Sequence, residues 1–135
     1  MQFMAWNDKL SMGVKAIDDD HKKLLALANH LYDAIAAERG KLELERVLGE
    51  LVDYTTFHFA REEELFARTA YPKATEHKKE HDDLTRKVVE IQQRYHAGST
   101  ALTMEVMVFL KDWLFDHILG SDLKVGPHLK AKGIS

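Results

Sequence analysis

The chain has 135 residues, 45% hydrophobic and 30% charged, with a formal net charge of −3; this suits one globular domain with a continuous core and argues against disorder. So small a negative balance offers no basic field for nucleic acid or an anionic membrane surface. The absence of cysteine excludes disulfides, zinc ribbons and thiolate iron–sulfur ligation.

No stretch approaches the ~20 apolar residues of a membrane span. The opening MQFMAWNDKL lacks the basic and apolar regions of a signal peptide, so a cytoplasmic location is the expectation. Eight histidines are out of proportion, whereas only two prolines and seven glycines are present. So few breakers favour long helices.

Residues 1–17 read as an extended arm carrying an apolar plug, Trp6. A first helix is expected after Asp18, where the acidic run Asp18-Asp19-Asp20 suits a helix N-terminus, and should run to about Glu38 before Gly40. Its inward stripe is His21, Leu24/Leu25, Ala28, Leu31/Tyr32 and Ile35. A second helix, from about Lys41 to Ala67, carries Leu44, Leu48, Leu51, Thr55, His58, Glu62 and Leu65 on one face. Tyr71-Pro72 marks a connection, because the residue before proline avoids helical dihedrals. A third helix runs to about His96 with His77, His81, Leu84, Val88, Ile91 and Tyr95 inward. After Gly98-Ser99-Thr100, a fourth runs from about Ala101 to Leu119 with Thr103, Val106/Met107, Leu110, Trp113 and His117 inward. Gly120 and Gly126-Pro127 suggest a short polar tail over 123–135. Steps of three and four residues are the signature of one buried helical face.

Four helices with short connections predict an all-α, up-down-up-down four-helix bundle over about 18–122, within a single domain spanning 1–135. That topology collects the starts of the first and third helices and the ends of the second and fourth at one end. His21, His58, Glu62, His77, His81, His117 and Asp122 then share one layer, within ~13 Å of the helix ends at ~1.5 Å rise per residue. The pairs His58/Glu62 and His77/His81, four apart, each serve one face. His117 and Asp122 are five apart, which a regular helix splays by ~140°, so a distorted turn is expected at 119–122, where Gly120 eases it.

Burying five imidazoles with two carboxylates is costly without a compensating cation. Seven donors exceed what one metal needs and suit two, with the carboxylates shared. Imidazole plus carboxylate without sulfur suits iron and admits manganese or zinc. No histidine follows a glutamate by three residues, so the Glu-x-x-His pattern of ferritin-like di-iron proteins is absent, as is the HExxH zinc motif.

The run DHKKL at 20–24, HFARE at 58–62, HKKEH at 77–81 and WLFDHILGSD at 113–122 together resemble the hemerythrin family, in its bacterial branch. The likeness extends from about Trp6 to Asp122 and occupies all seven family ligand positions. It implies a non-haem di-iron centre binding O2 reversibly, for oxygen storage, transport or delivery to an oxygen-using enzyme, in a protein that is not itself an enzyme. It assigns His77, His81 and His117 to one iron and His21 and His58 to the other. Glu62, Asp122 and an oxo or hydroxo group would bridge them. The first iron is then filled at six donors and the second, at five, keeps one place for O2. An apolar O2 pocket is expected from Leu24, Phe59, Trp113, Leu114 and Ile118, which equally read as bundle core.

His30, His96 and His128 fall off the stripes and are expected at the surface, as are Glu63 and Glu64. A monomer is expected, with no nucleic-acid partner. A sensor, an enzyme acting on peroxide or nitric oxide, and an iron store are the competing functions. Nothing in the motifs supplies the acid–base residues that substrate chemistry needs, and one small bundle forms no storage cage.

Overall fold

Apolar side chains recurring every three and four residues build four long helices that bury one face each. The computed structural model describes residues 3–135. Its helices are α1 (Lys15–Ala36), α2 (Lys41–Thr69), α3 (Ala74–His96), α4 (Met104–His117) and a short α5 (Leu123–Ala131). A 3₁₀ turn, Asp8–Leu10, precedes α1, and a π-helical turn, Ile118–Asp122, joins α4 to α5. Helices α1 to α4 form the expected up-down-up-down bundle, with α2 packed between α1 and α3 and α4 returning against α1.

Its core runs the length of the bundle through Leu24, Leu31, Leu48, Leu51, Leu84, Val88, Met107 and Leu110. Leu114 takes the inward position on α4 expected for Trp113, whose ring is half-buried.

Several boundaries differ from the sequence pattern for identifiable reasons. Helix α1 starts at Lys15, ahead of the expected Asp18. Asp18 instead clasps the arm, accepting from the Ser11 hydroxyl at 2.5 Å and the Met12 N–H at 2.9 Å. The plug in that arm is Met4 and Leu10, both 1% exposed, while Trp6 is half-buried under Lys22. Asn29 holds Met4 in place, bonding its N–H and its carbonyl at 2.7 Å each. Helix α1 closes with Glu38 in the left-handed region at φ 53°, donating to Ile35, and Arg39 donating to Ala34. Gly98 ends α3 by the same pair of bonds.

The segment after Asp122 is helical, not an irregular polar tail. Val125 and Leu129 are buried with Met12, Val14, Ile17, Leu65 and Phe66 in a second apolar cluster beneath one end of the bundle. Gly126 read as a breaker, yet its role is close approach: a side chain there would fall inside the contact distance of the Met12 carbonyl. Burial of the Val125/Leu129 face outweighs the local preference of Gly126-Pro127. Gly126→Ala should therefore push α5 off the arm and lower the stability of the metal-free protein by roughly 1–3 kcal/mol, measured by denaturant unfolding.

Candidate metal centre

Each of the seven side chains singled out in the sequence points to one small volume, and none is more than 4% exposed. His21 comes from α1, His58 and Glu62 from α2, His77 and His81 from α3, and His117 from the last residue of α4. Asp122 closes the π turn, in which the Leu123 N–H bonds the Ile118 carbonyl five residues back. Such i→i+5 bonding brings residues five apart toward one side of a helix, so the chain widens at 118–122 without breaking.

The two carboxylates divide the imidazoles into unequal groups. Glu62 Oε1 faces His58 Nε2 at 2.7 Å and His21 Nε2 at 3.4 Å, whereas Oε2 faces His81 at 3.2 Å and His77 at 3.3 Å. Asp122 Oδ2 faces His21 at 3.0 Å, whereas Oδ1 faces His77 at 2.8 Å and His117 at 3.1 Å. Five Nε2 atoms and four carboxylate oxygens are thus buried within reach of one another, yet none makes an aligned hydrogen bond. Groups that close with unsatisfied lone pairs are aimed at common points between them and not at each other. That is the arrangement of ligands around cations, and the site fits metal: among the described residues, Glu62, His77, His81, His117 and Asp122 form one group of donor atoms and His21, His58 and Glu62 another.

Outward ring nitrogens are braced by a second set of acids, Asp20, Glu63 and Glu80, of which the residue pattern placed Asp20 at a helix start and Glu63 at the surface. His58 Nδ1 donates to Asp20 at 2.9 Å, and Asp20 also accepts from the Tyr54 hydroxyl at 2.8 Å and lies 3.3 Å from Arg61 Nε. His81 Nδ1 donates to Glu63 at 3.1 Å. His117 Nδ1 donates to Glu80 at 3.1 Å, and Glu80 is held by the Ser121 hydroxyl at 2.8 Å. These bonds fix the tautomer that leaves Nε2 free to ligate. Asp20 is buried against α2 and is not helix-start chemistry; Glu63 is half-buried at the α2–α3 seam and is not a solvated face. A signal for them was present: each of the three acids is the immediate sequence neighbour of an inward ligand.

His30 and His96 are exposed as expected, but His128 is half-buried, its Nε2 3.0 Å from both the carbonyl and the hydroxyl of Thr69. Of the expected apolar neighbours, Leu24, Phe59, Leu114 and Ile118 are buried in the main core. Phe59 stacks on the His81 ring at 3.8 Å, and Trp113 stacks on His117 at 4.5 Å.

The titration behaviour follows from this enclosure. Burial disfavours charge on His21 and His77, but the Asp122 and Glu62 carboxylates outweigh it and raise them to about 10 and about 9. Burial likewise opposes ionisation of Glu62 and Asp122, and the surrounding imidazoles hold both well below the usual carboxylate range. Burial, then the Asp20 contact, pushes Tyr54 up to about 12.

The match to a family model decides what this arrangement belongs to: residues 12–129 fit the hemerythrin HHE cation binding domain. The chain belongs to the hemerythrin family. A bacteriohemerythrin of Stenotrophomonas maltophilia is 35% identical over 97% of this chain and 84% of its own length. One from Methylococcus capsulatus is 33% identical over 97% and 100%. A crystal structure of wild-type hemerythrin superposes with a TM-score of 0.90 at 33% identity, covering 94% of this chain and 98% of that one. Among the described residues, no helix of this hemerythrin-family chain is long and apolar enough to cross a membrane.

Two measurements check the site. In the metal-free protein, imidazolium stabilisation is complete below the ordinary imidazole value and is lost as pH rises through about 9 to 10. The carboxylate contribution is present above the ordinary carboxylate range and is lost below it. Metal uptake at neutral pH should therefore expel protons, those of His21 and His77 among them, detectable with an indicator dye in weak buffer. Glu80→Gln should weaken metal affinity by roughly 10–100-fold in chelator competition while leaving the helical content unchanged.

Proposed function

We propose that this chain binds O2 reversibly at a non-haem di-iron centre and serves oxygen storage, transport or delivery to an oxygen-using enzyme. The observation that carries this reading is the unequal division of five imidazoles across two shared carboxylates. His77, His81 and His117, with Glu62 Oε2 and Asp122 Oδ1, would hold one iron. His21 and His58, with Glu62 Oε1 and Asp122 Oδ2, would hold the other. With one solvent-derived bridge the first set totals six donors and the second five, which leaves a single open position. When bound, the iron pair supplies two electrons and that open position for O2.

The chain's own residues orient, exclude and withhold. Asp20, Glu63 and Glu80 orient His58, His81 and His117. Leu24, one turn beyond His21, and the buried Phe59, Leu114 and Ile118 exclude water from the core around the site. An enclosed void of about 20 Å³, lined by Leu51, Val52, Leu84, Val88, Leu110 and Leu114, lies in the same core. The one polar side chain lining it, Thr55, spends its hydroxyl on the Leu51 carbonyl at 2.7 Å, so the void favours a small apolar guest over water. No acid or base stands among the apolar neighbours named here, which supports carriage over turnover of a substrate.

The reduced protein should contain two irons per chain and show a visible absorption that appears in air and disappears under argon over repeated cycles. Rapid irreversible bleaching, or zinc as the resident metal, would overturn the assignment. His77→Ala should lose metal, whereas His30→Ala, on the exposed face of α1, should retain both irons.

A further inference from the structure

His77 differs from the other four imidazoles in a way that the oxygen reading leaves unused. Its Nε2 faces Glu62 and Asp122, but among the described residues its Nδ1 has no hydrogen-bond partner. Its ring, only 3% exposed, forms part of the wall of a cavity of about 360 Å³. His58, His81 and His117 are braced by carboxylates, and the unpartnered Nδ1 of His21 is sealed in the interior. Of the five imidazoles, His77 is therefore the one that is both unbraced and at the wall of an open cavity.

That space is lined by two carboxylates and two ammonium groups, and the carboxylates flank His77 on its own helix. Glu76 and Glu80, one residue before His77 and three after it, line the cavity with Tyr71. Glu76 is exposed and makes no ion pair among the described residues. The Tyr71 hydroxyl lies in the negative field of Asp122, Glu76 and Glu80. Lys73 and Lys124 also border the cavity; both are exposed and have no acidic partner within bonding range among the described residues. A hydrated divalent ion cannot enter an apolar bundle without replacement of its water, and carboxylates ahead of the final ligands provide that replacement in steps.

We propose that this cavity is the metal-loading port: a divalent cation is captured between the carboxylates of Glu76 and Glu80 and passes inward as the unbraced His77 ring turns aside. The proposal rests on the metal-centre reading above. Glu80 keeps its bond to His117 while its remaining lone pairs meet the ion. When the ring returns, Nε2 closes on the metal and the cavity is left with water.

The test is the rate at which metal-free protein takes up cobalt(II) at low ionic strength, followed by the visible absorption of cobalt on imidazole. Glu76→Gln should slow uptake roughly three- to fivefold, and Lys124→Glu should accelerate it by a similar factor. Both variants should reach the wild-type cobalt content and spectrum, and both differences should shrink at high salt. Wild-type rates in both variants would overturn the port while leaving the metal centre standing. A lowered final cobalt content in Glu76→Gln would also overturn it, because Glu76 would then be a ligand of the finished centre. A wild-type chain that takes up no cobalt would remove port and centre together.

Discussion

Glu62 and Asp122 lie fully enclosed among imidazoles from all four bundle helices, and their four oxygens are left without an aligned hydrogen bond. A low-dielectric interior tolerates such a cluster only when charge is neutralised and every lone pair is directed at something positive. Protonated imidazoles satisfy part of this requirement in the metal-free chain, since His21 and His77 hold their protons well above neutrality. Cations satisfy the rest and draw both carboxylates into shared use. One end of the bundle therefore depends on what it binds, whereas the apolar length from Leu24 to Met107 holds together by burial alone.

The bracing acids show how the site is tied into the helix packing. Asp20 on α1 supports His58 on α2, Glu63 on α2 supports His81 on α3, and Glu80 on α3 supports His117 on α4. Each sits next in sequence to an inward ligand. A residue one position from an inward one is turned about 100° around the helix. It therefore meets the seam with a neighbouring helix and reaches that neighbour's ligand. The three bonds step from helix to helix in chain order, so a change in register along any seam would move a ligand. Ligand geometry here is a property of the bundle, not of any single helix.

Much of this was legible in the residue pattern. Histidines at 21, 58, 77, 81 and 117, with Glu62, continue apolar stripes whose direction along each helix dictates that they meet. Asp122 required one further idea, a widened turn, and the five-residue spacing supplied it. Elsewhere local signals misled. Asp18 resembled an N-cap but clasps the arm through Ser11 and Met12. Gly126-Pro127 resembled a terminator but lies within a helix whose Val125 and Leu129 are buried. In both cases a contact distant in sequence overrode a preference written into a few adjacent residues.

Periodicity gave the helical class and six of the seven inward residues, and the short connections gave the antiparallel order, because a helix projects every third or fourth side chain to one side whatever surrounds it. It could not settle what the outward ring nitrogens touch, since Asp20, Glu63 and Glu80 carry the same charge and similar spacing as acids that face solvent. Nor could it show that the chain after Asp122 folds back to seal the lower cluster, or that the His77 ring borders an open cavity. Those outcomes depend on which surfaces meet across helix seams, and only the packed tertiary structure decides them.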